Sequence, residues 1–116
     1  MKKIINIDGK EYEMKSSAYT QFAYKDMTGR SLLSDLKELT GLEIKDEMDL
    51  SILDKITIPL LDMAYTMMQE AGNCEYKTKE DFIRSIDSLF TDVNWINEVV
   101  TLAVNPISRQ LQNEVK

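Results

Sequence analysis

The chain has 116 residues, 20 of them acidic and 14 basic, for a net charge of -6. That is one domain, long enough to bury a core without metal or disulfide help, and its acidic balance offers no cationic field to a phosphate backbone or an anionic membrane. A single cysteine, Cys74, excludes an internal disulfide, and MKKIINIDG has no apolar run long enough for a secretory signal, so reducing cytoplasm is the expected compartment.

Residues 3–15, KIINIDGKEYEMK, place Asp8-Gly9 between two short runs, the dipeptide that a two-residue turn with positive φ at both central positions favours. A β-hairpin is predicted, with Ile7 opposite Lys10 and Ile5 opposite Tyr12. Ile5, Ile7, Tyr12 and Met14 then share one face, to be buried, and Ile4, Asn6, Glu11 and Glu13 share the other, since side chains alternate along a strand. Two strands alone are marginal in water. The hairpin therefore needs a helix beneath it or a strand from another subunit beside it, and its second face is the candidate self-association surface.

Ser16 and Ser17 are natural N-caps. Tyr19, Phe22, Ala23 and Met27 come next at helical spacing up to Gly29, which suits a left-handed closing position. Helix one is predicted over 17–28. Leu32, Leu33, Leu36 and Leu39 form one side of a second helix ending at Gly41. The acidic segment LEIKDEMD reads as a solvated connection whose last acid caps the next helix.

The rest of the chain is organised around residues 48–72. At 100° per residue the polar positions Ser51, Lys55, Asp62, Thr66 and Gln69 fall in one narrow stripe, with apolar residues over the remaining circumference. A helix that apolar must be wrapped on most sides. It is too short and too interrupted by charge to cross a bilayer, which takes about 20 nearly uncharged residues. Pro59 predicts a break near Thr57, with a short helix from about Asp49 to Ile56 and the main one from about Ile58 to Ala71, capped by Thr57.

Thr78 with Asp81 resembles a capping box, and Phe82, Ile83, Ile86, Leu89 and Phe90 continue at three- and four-residue spacing, predicting a helix over 79–90. Asp92 can cap the next one. In it Trp95, Val99 and Leu102 form one row and Ile96, Val100 and Ala103 another, until Asn105-Pro106 stops it. The fold class predicted is mainly α: a compact single domain, 1–116, of about five helices (17–116) behind an N-terminal β-hairpin (3–15).

Nothing in the chain reads as a catalytic or cofactor site. There is no histidine, which removes the commonest general base and metal ligand, and so nothing to activate Cys74 as a nucleophile. Pairs such as Glu43 with Asp46 or Glu80 with Asp81 read as a solvated face rather than acid-base machinery or a calcium loop. Gly9, Gly29, Gly41 and Gly72 are spread too widely for a dinucleotide fingerprint or a phosphate loop. No enzyme activity and no cofactor or metal is expected. Met63, Met67 and Met68 carry flexible, polarizable side chains on one helix, as adaptable binding surfaces do, although core filling is their commoner use. Trp95, with Val99 and Leu102, admits the same two readings, an interface anchor or part of the core.

In order, the segments KSSAYTQFAYKDMTGRSLLSDL, LLDMAYTMMQEAG and WINEVVTLAVNPISRQLQ resemble the tail assembly chaperones of siphophages that infect Gram-positive bacteria, over nearly the whole chain. The shared motifs are apolar helix patterns rather than chemical signatures. The resemblance implies a non-catalytic protein of the host cytoplasm that binds the long helical tape measure protein, keeps it soluble and hands it over as tail tube subunits polymerise, and that is absent from the mature virion. It also implies a tendency to self-associate. The alternatives are a structural virion component such as a tube or connector subunit and, ranked lower, an acidic inhibitor of a nucleic-acid-binding enzyme, whose rows of carboxylates the interspersed lysines break up.

Overall fold

The computed structural model describes residues 1–40, 50–72 and 74–114, and it is mainly helical with an N-terminal hairpin. The elements are β1 (Lys2–Ile7), β2 (Lys10–Lys15), α1 (Thr20–Thr28), α2 (Leu32–Thr40), α3 (Leu50–Ala71), α4 (Lys79–Arg84) and α5 (Asn94–Glu114). The predicted acidic connection and the Gly41 stop lie outside the described residues.

The hairpin has the predicted register, with Ile7 opposite Lys10 and Ile5 opposite Tyr12. Asp8 and Gly9 both take positive φ, 54° and 83°, as the two-residue turn demands. Ile5, Ile7, Tyr12 and Met14 are buried. The turn is also tied to the other end of the chain: Lys10 Nζ donates to the Ser85 carbonyl at 2.8 Å, and the Ser88 N–H donates to Asp8 Oδ2 at 3.0 Å.

α3 is the axis of the molecule. It packs against β2, α1, α2, α4 and α5, and every residue from Leu60 to Met68 is buried. Burial all round is what its composition asked for. The polar stripe is open at Lys55 and Gln69, whereas Asp62 and Thr66 are covered. Thr66 satisfies its hydroxyl within the helix by donating to the Asp62 carbonyl at 2.7 Å.

Neither proline ends a helix. α3 runs unbroken through Pro59 and α5 through Pro106, so the break at Thr57 and the stop at Asn105 are both overturned. An interior proline removes one backbone hydrogen bond and crowds the preceding turn, at about 3 kcal/mol. Packing on both sides offsets that: Ile56 and Leu60 are buried around Pro59, and Leu102 and Ala103 before Pro106 are followed by Ile107, which packs against the core. Each full burial contributes roughly 1.5–3 kcal/mol.

Two further boundaries move. α1 begins at Thr20 rather than 17, because Ser17 closes a turn instead, its carbonyl accepting from Thr20 N–H at 3.1 Å and its hydroxyl from Tyr19 N–H at 3.2 Å. Gly29 ends α1 as predicted, left-handed at φ 76° with its N–H on the Lys25 carbonyl. α4 starts at the Thr78 cap, whose hydroxyl accepts from Asp81 N–H at 3.1 Å, but it stops at Arg84, well short of 90. Ser85 there turns its hydroxyl onto the Phe82 carbonyl at 2.6 Å, and the next residues are held by the hairpin turn. Short polar side chains that bond nearby backbone compete with helix continuation. Asp92 accepts from Asn94 N–H at 3.0 Å at the start of α5.

Candidate interaction surface

The methionine and tryptophan rows are interior. Met63, Met67 and Met68 are buried on α3, and Trp95, Val99 and Leu102 are buried on α5. As adaptable surfaces they are corrected: α3 and α5 pack against each other and against the hairpin, and all six residues belong to the one buried core cluster. Trp95 is fixed further by its indole N–H, which donates to the Leu89 carbonyl at 2.8 Å. Beside them Tyr12, Tyr65, Tyr76 and Phe82 form an aromatic group with ring centroids 5.4–6.3 Å apart, within the range in which tilted and offset rings attract.

The outer hairpin face is where the alternation puts it. Ile4, Asn6 and Glu11 are exposed and Glu13 is half-buried, paired with Lys2 at 2.5 Å.

Exposed apolar surface collects at a place the periodicity assigned to the interior. Tyr19 just ahead of α1, Phe22 on α1 and Leu33 on α2 are 60%, 67% and 48% exposed. Phe22 and Leu33 line one groove of about 310 Å³ between the two helices, with Gln21, Lys25, Asp26 and Leu32. The inward face of α1 is instead Thr20 and Tyr24, one turn apart. Their polar atoms are what the interior provides for: Thr20 Oγ1 donates to Glu70 Oε1 at 3.0 Å, and the Tyr24 hydroxyl donates to Asp35 Oδ2.

Arg30 holds this corner in place. Its Nε lies 3.1 Å from Asp35 on α2, its Nη2 2.5 Å from Asp62 Oδ2 on α3, and its guanidinium carbon 5.8 Å from the centre of the Tyr24 ring on α1. Three helices meet on one guanidinium. The fork geometry of arginine allows that, and lysine could not reproduce it. Asp62 is 1% exposed, and its other oxygen lies 2.7 Å from Lys79 Nζ at the start of α4, so the buried carboxylate is compensated by two cations. Hydrogen bonding to Asp62 holds the Arg30 proton even more firmly than usual. Burial first, and the bond to Asp35 second, push the Tyr24 hydroxyl well above its ordinary range.

One signal for this cluster was present in the sequence. An aspartate inside a run of eight otherwise apolar or small residues calls for a cation from elsewhere. Which cation it would be was not readable. Among the described residues no group of histidine, cysteine, aspartate or glutamate has metal-binding geometry, and no helix is long and apolar enough to cross a membrane. No family model matches the chain, and no curated protein or solved structure does either.

Proposed function

We propose that the protein is a phage tail assembly chaperone, which binds the tape measure protein, keeps it soluble and releases it to the tail tube subunits, without catalysis. The observation that carries the reading is the α1–α2 corner. Tyr19, Phe22 and Leu33 stay in solvent on a corner clasped to the core, and exposed aromatic groups on a preorganised scaffold are what a partner helix uses as anchors. The net charge of -6 helps keep such a complex dispersed. The order of segments that resembles the chaperone family supplies the biological context. The role passes from the methionine and tryptophan rows to this corner, since those rows are occupied by the core.

The test is co-expression with a siphophage tape measure protein, using the intact chain and a Phe22→Ser/Leu33→Ser variant. The intact chain is expected to co-purify with the partner and hold it in the soluble fraction, and the variant to lose at least about tenfold of that yield, as loss of paired hot-spot anchors does. Unchanged partner solubility with and without the protein overturns the chaperone reading. So does recovery of the protein from purified mature particles.

A further inference from the structure

Arg30 grips two carboxylates of unequal burial. Asp62 is 1% exposed and shared with Lys79, whereas the Asp35 side chain keeps 14% exposure. Breaking the inner pair strands a charge in the core; when the outer pair parts, water replaces the partner at little cost. The Tyr24 hydroxyl, the other donor to Asp35, still has Arg30 Nη2 at 3.3 Å. Asp35 is therefore where the clasp yields, and Asp35 sits on α2.

α2 is also shallowly seated. Of its described side chains only Leu32 and Leu36 are buried, and a groove runs along each flank: about 310 Å³ against α1, lined by Phe22 and Leu33, and about 450 Å³ against α3, lined by Leu39, Ile56 and Pro59. Its first turn is satisfied from within, Asp35 N–H donating to the Ser31 carbonyl at 3.1 Å and Ser34 N–H to the Ser31 hydroxyl at 3.3 Å, so the helix carries its own cap when it moves. Gly29, left-handed at φ 76°, lies at the joint ahead of it. A helix held by so little buried surface opens at a lower free energy than one covered on all sides, as α3 is.

We propose that α2 is a hinged arm latched by Asp35. Latched, it brings Leu33 beside Phe22, and the two anchors share one groove. Released, it carries Leu33 away and divides the pair, while Arg30 and Lys79 stay on Asp62 and keep the rest of the corner closed. The arm stands on this geometry; only the use of the anchors rests on the proposed function.

Amide hydrogen exchange of the intact protein, followed residue by residue, tests the arm without any partner. After correction for intrinsic rates, residues 36–39 are expected to exchange together and at least about a hundredfold faster than residues 60–68. Asp35→Asn removes the charge and keeps the shape; it should speed 36–39 about another tenfold and leave 60–68 within about twofold. In complex with a siphophage tape measure protein, exchange at 36–39 should slow at least about tenfold, because a ligand that needs both anchors binds the latched state alone. Equal protection of the two sets overturns the arm, and so does an Asp35→Asn variant that speeds both sets alike or neither. Unchanged exchange at 36–39 in the formed complex overturns the control of the anchors by the latch, whereas failure of the complex to form counts against the proposed function and leaves the exchange of the free protein to decide the arm.

Discussion

Over α3 every residue from Leu60 to Met68 is buried, whereas the α1 region, with Tyr19, Phe22, Ala23 and Met27 at equally good helical spacing, leaves Tyr19 and Phe22 in solvent. The two helices differ in what their polar residues can reach. Asp62 on α3 meets Arg30 and Lys79, so the apolar circumference of that helix is free to be covered. On α1, Thr20 and Tyr24 find Glu70 and Asp35 inside, and the helix is rotated to serve those bonds. An amphipathic pattern names an apolar face; buried hydrogen bonds decide which face is turned in.

The contrast can be broken at several points. Met67→Ala on α3 removes a fully buried side chain and is expected to cost about 2–5 kcal/mol, read from the urea midpoint followed by circular dichroism. A loss under about 1 kcal/mol would show that the α3 surface is looser than a core. Asp62→Ala leaves two cations without their shared partner, and breaking a buried pair costs about 3–5 kcal/mol. The side chains of Arg30 and Lys79 keep 43% and 34% exposure and can turn to water, so about 2–4 kcal/mol is expected here, measured by the same urea titration.

Alkali should act through Tyr24. Its folded-state pKa is raised above the ordinary 10.0, so the stability it contributes is complete below about pH 10 and is lost as pH rises past that toward the folded value. Tyr12 and Tyr65, both raised chiefly by burial, add in the same direction. The melting temperature is expected to fall from about pH 10 upward, and less steeply in Tyr24→Phe; equal slopes for the two proteins would remove Tyr24 from the account. The smallest effect belongs to Phe22→Ser, which should leave stability within about 0.5 kcal/mol because the ring is in solvent. A larger loss places Phe22 in the core after all.

The register of the hairpin was legible because a two-residue turn leaves one register, and Asp8-Gly9 fixes the turn. The central helix was legible because so many of its positions are apolar that no rotation could hide the fact. Helix ends were harder. Pro59 and Pro106 carry a strong local rule that tertiary packing outweighs, and Ile86, Leu89 and Phe90 look helical by spacing although the hairpin turn captures the Ser88 N–H between them. The exposed apolar corner was the least legible part. Exposure of Phe22 depends on bonds from Thr20 and Tyr24 to partners 50 and 11 residues away in sequence, and no periodicity encodes those.

The bonds that join the hairpin turn to Ser85 and Ser88 span 75 and 80 residues. A ribosome adding roughly 5–20 residues per second takes roughly 4–15 s to cover that stretch. During synthesis the greasy side of the hairpin therefore emerges long before its cover does, and the newborn chain must stay out of trouble until its second half arrives. Slowing translation of the later codons should lengthen that window and lower the yield of soluble product, with no change to the finished fold.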